Sequence, residues 1–396
     1  MIPIGLKKKI LFVSTFPPKK CGIASFTSDL INAVNDKLAA NVVIETCALD
    51  KEHNAALYKY PVTGVWNIYK PHSHIETAMA INEDEDIKLV CIEHEFGLYG
   101  GELGEYLLGF LAMLEKPFVI RFHTVLSNPS AKRHSIVKSI ALLAEKIIVM
   151  TKQSAHILKE DYGIGPDKIV LIRHGTHPAS TADKNELKTK YNFQNKQVLT
   201  TFGLLSPNKG IEKGILAMKE ISIAFPDTIY VVLGQTHPNL LEQEGEKYRE
   251  YLQQLITDNN LQENVRLINE YAPTEKLMEY LRLTDIYLFT SKDPKQAVSG
   301  TFLYAMSAGC PIISNSFVLA LEMLDEKTGV ILTSDKESEL SEQVIRILQY
   351  PQLKKEMSGN AFLKTRNTTW IKIGEKHADL FTEILNGAAI EKELPA

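Results

Sequence analysis

Two short stretches carry residue types suited to holding an anion. In QAVSGTFLYAMSAG, residues 296–309, a polar loop gives way to Ser299, Gly300 and Thr301 at the mouth of a helical run. A helix N-terminus presents unpaired N–H groups and about half a positive charge, so small residues there let an anion reach the backbone itself. Ser299 and Thr301 add hydroxyls, and Gly300 removes the side chain that would block approach. The pattern suits a phosphate; a serine cap beside a close-packed glycine is the plainer reading of the same residues. In TFGLLSPNKG, residues 201–210, a turn places Lys209 and Gly210 just before another helix, from where the amine would reach an anion seated by the first loop. A solvated turn lysine is the alternative. Histidines add a second kind of chemistry: His123 closes the apolar run PFVIRFH, and His94 lies between Glu93 and Glu95 in EHEFGLYGG, at a strand end where it could meet a ligand or be satisfied by neighbouring backbone.

These loops need elements to position them. Apolar Val/Ile/Leu runs at 7–15, 42–49, 88–95, 117–123, 146–151 and 168–175 alternate with helix-length amphipathic segments such as 25–38, 103–115 and 130–145. After a polar stretch the alternation restarts, with runs at 198–203, 228–234, 264–269, 285–291 and 310–315. Continuous apolar strands alternating with helices indicate parallel sheets covered on both faces. The expected organisation is an N-terminal domain over 1–180, a linker over 181–196, a C-terminal domain over 197–368 and a final helix over 369–396 that packs back on the first domain. A chain of 396 residues agrees with two cores, since single cores stop growing at about 250–300 residues.

Composition narrows the function classes. A net charge of −4 disfavours bulk nucleic-acid binding. The apolar run after Lys7-Lys8-Lys9 is too short for a signal-peptide core, and no run approaches the ~20 residues that span a bilayer. Four scattered cysteines without a C-x-x-C pair read as reduced thiols in a cytoplasmic protein. Asp84, Glu85 and Asp86 read as a solvated turn, and no D-x-D pair is placed to hold a metal. A dinucleotide oxidoreductase is disfavoured because no G-x-G-x-x-G follows the first strand.

Six segments in order resemble family 4 of the retaining, nucleotide-sugar-dependent glycosyltransferases: STFPPKKCGIASFTSDL (14–30), CIEHEFGLYGG (91–101), RFHTVL (121–126), IRHG (172–175), TFGLLSPNKG (201–210) and DPKQAVSGTFLYAMSAGCPII (293–313). The resemblance spans nearly the whole chain. It implies the GT-B architecture, an α/β fold of two Rossmann-like, doubly wound domains facing across a cleft. It also implies transfer of a hexosyl group, mannosyl or another, from a nucleoside-diphosphate sugar to a hydroxyl of a saccharide or glycoconjugate, without a metal and with no cofactor, the nucleotide sugar being a substrate. GDP-mannose and UDP-linked hexoses are the leading donors. The resemblance allows peripheral association with the inner face of the membrane, assigns no nucleic-acid partner and leaves oligomeric state open.

By the same resemblance, His123 matches the histidine beside the transferred sugar and Gly22 the glycine whose backbone lets donor diphosphate and acceptor come close. Lys209 matches the lysine that neutralises the diphosphate, and Ser299, Gly300 and Thr301 the loop whose amides bind it. Glu322 stands where many members have a glutamate at a helix start. Two departures stand out. Where many members carry two glutamates eight positions apart, one near the sugar and one on the ribose, this chain has Gln296 and Tyr304, neither of which is an anion. The arginine common after the glycine of the lysine loop is Leu204. A sugar-nucleotide or glycan-binding protein on the same fold, weak or inactive in turnover, is therefore the alternative function.

Overall fold

The computed structural model describes residues 8–38, 42–51, 55–70 and 72–393, with side chains up to residue 387. The chain divides into two compact units, one made of residues 1–175 and 370–396, the other of 176–369.

The first unit is built on a parallel sheet of seven strands: β1 Lys8–Ser14, β2 Val42–Asp50, β3 Val62–Asn67, β4 Ile87–His94, β5 Phe118–Phe122, β6 Lys146–Val149 and β7 Ile169–Leu171, in the order β3-β2-β1-β4-β5-β6-β7. The central strands are buried on both faces, with Phe12, Val90, Cys91 and Ile120 fully enclosed, which is why they appear in the sequence as unbroken apolar runs. β3 is an edge strand of mixed exposure and lacks such a run, so the sequence does not announce it. The order reverses between β1 and β4, leaving a crevice beyond their carboxyl ends of the kind where doubly wound sheets bind ligands.

The second unit repeats the design with six parallel strands: β8 Gln197–Phe202, β9 Thr228–Leu233, β10 Val265–Ile268, β11 Ile286–Phe289, β12 Ile312–Ser314 and β13 Gly329–Ile331, in the order β10-β9-β8-β11-β12-β13. Its reversal lies between β8 and β11. The three-residue edge strand β13 is the other strand absent from the sequence reading.

The expected domain borders need correction. Residues 181–196 are not a free linker: they form the helix Lys184–Lys190 and send Leu187 and Phe193 into the second core. Lys184 and Lys188 of this segment pair with Asp285 at 3.0 and 2.8 Å, and Lys354 joins them at 3.0 Å. Asp285 sits just before β11, so the cluster ties two helices to the amino end of the sheet, opposite the ligand crevice. The final helix, Trp370–Glu393, belongs to the first unit and packs along the helix Gly22–Leu38.

Candidate functional site

In the second unit the loops after β8 and β11 meet at the reversal point. Residues Pro207–Lys209 form a 3-10 turn whose exit is Gly210, at φ +61°. A Cβ there would fall 2.3 Å from the Thr290 carbonyl oxygen, so only glycine lets the two loops come this close. Thr290 Oγ1 donates to the Lys209 carbonyl at 2.8 Å and the Lys292 amide donates to the Asn208 carbonyl at 2.8 Å. Buried Asn315 braces the same loop, donating to the Thr290 and Ser291 carbonyls and accepting from Lys213 Nζ at 3.0 Å.

Lys209 has no hydrogen-bond or ion-pair partner for its amine among the described residues. Burial pushes that amine below the ordinary lysine range, with Asp293 opposing. His237, on the loop after β9, is lowered by burial and by the Lys209 charge, which marks it as a second basic group near this turn.

Facing these loops is the helix Gly300–Ser307. Ser299 is its N-cap: its hydroxyl accepts from the Phe302 amide and shares a 3.0 Å hydrogen bond with the Thr301 hydroxyl. The expected cap is present, and the amides of Gly300 and Thr301 have no acceptor among the described residues. Gly300 is helical rather than left-handed. An unpartnered cation and two unpartnered amides thus stand on loops at the same end of the sheet.

The two positions lacking glutamate are occupied inward. Gln296 folds back on its own loop, accepting from Ser291 Oγ at 3.3 Å and donating to the Val298 carbonyl at 2.9 Å. Tyr304 meets His177 edge-on at 4.9 Å. Glu322 is not at a helix start: it is the fifth residue of the six-residue helix Val318–Met323, whose cap is Phe317.

In the first unit His123 follows β5 and lies edge-on to Phe26 at 5.1 Å. Phe26 sits in the first turns of the helix Gly22–Leu38, which brings the amino end of that helix to the histidine. Gly22 is exposed there, with nothing within 4 Å of where a Cβ would stand, and Cys21 Sγ accepts from the Ala24 amide to end the loop. His123 Nε2 is 2.7 Å from Glu93 Oε2. The other oxygen of Glu93 pairs with Arg121, directly opposite on β5, and Arg121 in turn contacts His377 of the final helix.

Glu93, Arg121 and His377 were not candidates from the sequence. The available signal was a charged residue in the middle of each of two apolar strands, IKLVCIEH and FVIRF; His377, 256 residues from Arg121, has no local signal.

His94 requires correction. It points to the opposite face from Glu93 and is fully enclosed by Phe122, Phe96 and Tyr99, with burial lowering its pKa to about 3. A neutral ring packed in that aromatic cluster cannot touch a sugar. His174 is likewise internal: its Nδ1 donates to the Gly175 carbonyl at 2.6 Å, and burial lowers its pKa to about 4. Asp84 accepts from Lys9 at 2.9 Å within the turn before β4.

Two doubly wound parallel α/β units, each with open loops at its reversal point, define the class. The whole-chain fold is that of HepE from Anabaena, solved with UDP and glucose, which has a TM-score of 0.74 at 17% identity and covers 95% of this chain and 100% of that one. Sucrose-phosphate synthase from Thermosynechococcus elongatus superposes with a TM-score of 0.77 at 16% identity, over 96% and 100% of the two chains. This is the GT-B fold expected from the sequence.

Residues 183–364, which lie within the second unit, match the family described as Glycosyl transferases group 1. Among curated relatives, the GDP-mannose-dependent monoacylated alpha-(1-6)-phosphatidylinositol monomannoside mannosyltransferase of Corynebacterium glutamicum is 24% identical over 50% of this chain and 51% of its own length. Alpha-D-kanosaminyltransferase of Streptomyces kanamyceticus is 21% identical over 64% and 63%. The chain spans about half the length of the first of these relatives and somewhat less than two thirds of the second.

Proposed function

We propose that the protein is a retaining glycosyltransferase that moves a hexosyl group from a nucleoside-diphosphate sugar to a hydroxyl of a saccharide or glycoconjugate, without a metal. The observation that carries this reading is an unpartnered Lys209 amine and the open amides of Gly300 and Thr301 on the loops that meet at the reversal point of a unit matching the group 1 family. As the sugar leaves, positive charge develops on its ring and negative charge on the departing diphosphate. Donors fixed where that second charge appears lower the barrier most. Lys209 and the two amides are such donors, and Ser299 holds the helix end that presents the amides. The leaving phosphate itself takes the acceptor proton, so no side-chain nucleophile is required.

In the first unit, His123 serves the transferred sugar and the open backbone at Gly22 serves close approach of the substrates. UDP and GDP sugars are the donor classes favoured by the names of HepE and of the corynebacterial mannosyltransferase. The lipid acceptor in the latter name suggests peripheral work at the cytoplasmic face of a membrane; among the described residues no helix is long and apolar enough to cross one.

Incubation with a panel of UDP- and GDP-hexoses should show saturable donor binding and slow donor hydrolysis. A second reading, a sugar-nucleotide-binding protein without turnover, is favoured by Gln296 and Tyr304, which supply no carboxylate. Binding without any hydrolysis or transfer would select it. Gly300→Val should abolish binding while leaving the fold intact; a folded variant that binds like the parent would reduce the Ser-Gly-Thr turn to a helix cap.

A further inference from the structure

The buried chain His377–Arg121–Glu93–His123 has a definite direction of hydrogen bonding. His377 Nδ1 is 2.7 Å from the Ile373 carbonyl, which can only accept, so that nitrogen carries the proton. Its Nε2 is then a lone pair and accepts from Arg121 Nη2. Burial and the Arg121 charge push His377 well below the ordinary imidazole range, in keeping with a neutral ring. Arg121 can only donate, so its Nη1 donates to Glu93 Oε1. Glu93 Oε2 is left as an acceptor for His123 Nε2–H at 2.7 Å.

Three of the four groups are completely shielded from solvent, and only His123 reaches the surface, with 12% of its side chain exposed. Phe26 walls the chain, its ring 5.1 Å from the His123 ring and 4.8 Å from Arg121 Cζ. His123 Nδ1 makes no hydrogen bond among the described residues.

We propose that Glu93 is a positioning residue for His123, locked by Arg121 and through it by His377 of the final helix, and that it fixes the neutral imidazole as the Nε2–H tautomer so that Nδ1 is offered to a hydroxyl of the transferred sugar. The last clause rests on the glycosyltransferase reading; the tautomer does not. A carboxylate that only balanced Arg121 would have no need to hold a partly exposed ring by its second oxygen. The arrangement makes the last helix part of the apparatus that orients the histidine, because losing His377 removes the acceptor that anchors one end of the guanidinium.

The test is heteronuclear NMR of the full chain with nitrogen-labelled imidazoles, at a pH where the rings are neutral. In the wild type His123 should carry its proton on Nε2. A proton on Nδ1 would overturn the proposal without any variant being made. In Glu93→Gln, Arg121 takes the amide oxygen and the NH2 group turns to His123, so the tautomer should invert; an unchanged tautomer in the folded variant would also overturn it. Glu93→Asp should restore the Nε2–H form.

Donor affinity should stay the same in Glu93→Gln while turnover falls about tenfold, the scale of one hydrogen bond made in the transition state. Undiminished turnover with an inverted tautomer would remove the offered Nδ1 from the proposal's account of the sugar. If no sugar nucleotide is bound or hydrolysed by the wild type, the glycosyltransferase reading fails and the tautomer result stands by itself.

Discussion

The residue clusters around His123 and around Lys209 treat their charge in opposite ways. In the first, Arg121 is matched on one side by Glu93 and on the other by His377, although its Nε finds no acceptor among the described residues. In the second, Lys209 lies in a lowered-pKa environment with no partner for its amine among the described residues. Removing Arg121 should therefore damage the first unit as a folded object, and removing Lys209 should leave the second folded.

The largest effect expected from this contrast is Arg121→Met. It strands the buried Glu93 carboxylate, and breaking a buried pair from one side costs about 3–5 kcal/mol. Denaturant unfolding should show the loss, and a variant as stable as the parent would mean that the network contributes no more than surface pairs do.

Next comes Asp285 at the amino end of the second sheet. Burial pushes its carboxyl up, but Lys184, Lys354 and Lys188 outweigh this and hold it below the ordinary range. Because folding lowers this pKa, its stabilisation is complete above the unfolded value of about 3.9 and is lost as the pH falls through the folded value. Asp285→Asn should cost about 2–4 kcal/mol at neutral pH, less than a fully enclosed pair because the lysines are partly solvated. The variant should also lose much of the decline in stability on acidification, and an identical acid profile in parent and variant would discard the cluster as its source.

Lys209→Ala reverses the pattern. Unfolding should be nearly unchanged, whereas nucleoside-diphosphate affinity should drop by about 1.5–3 kcal/mol, the scale of a hydrogen bond to a charged group. Bound diphosphate favours the protonated amine, so affinity is full at neutral pH and declines as pH rises, earlier than a solvated lysine near about 10.4 would allow. Calorimetry across that range checks both statements; equal affinity in parent and variant would take Lys209 out of the site. Gln296→Ala is the mildest, at about 1 kcal/mol or less in donor affinity, because its amide serves its own loop. A loss as large as that of Lys209→Ala would mean that Gln296 meets the donor directly.

Much of the second site is visible in the sequence because its parts are local. A turn lysine, a following glycine and a Ser-Gly-Thr helix start each lie on the single loop that follows the strand presenting them. The first site is only half visible for the opposite reason. His123 stands at a strand end, but Glu93, Arg121 and His377 come from three elements, and only the fold puts them in line.

His94 shows the same limit: its neighbour Glu93 has the opposite side of the strand, and alternation, not residue type, decides which of the two meets the histidine at 123. The helix Lys184–Lys190 hid behind its lysines. A polar, lysine-rich segment reads as solvated until the aspartate that gathers those lysines, roughly a hundred residues away, is known.

The second unit occupies one uninterrupted run of chain, whereas the first is completed by a helix that follows it. During synthesis the ribosome therefore releases the whole of the second unit before the segment that finishes the first. Until Trp370–Glu393 emerges, Arg121 has no His377 to donate to and Phe12 lacks its edge contact with Phe381. The nascent first half must wait, with its arginine short of a partner, while the half that carries Lys209 already has all of its own strands; assembly of this protein ends where its sheet began.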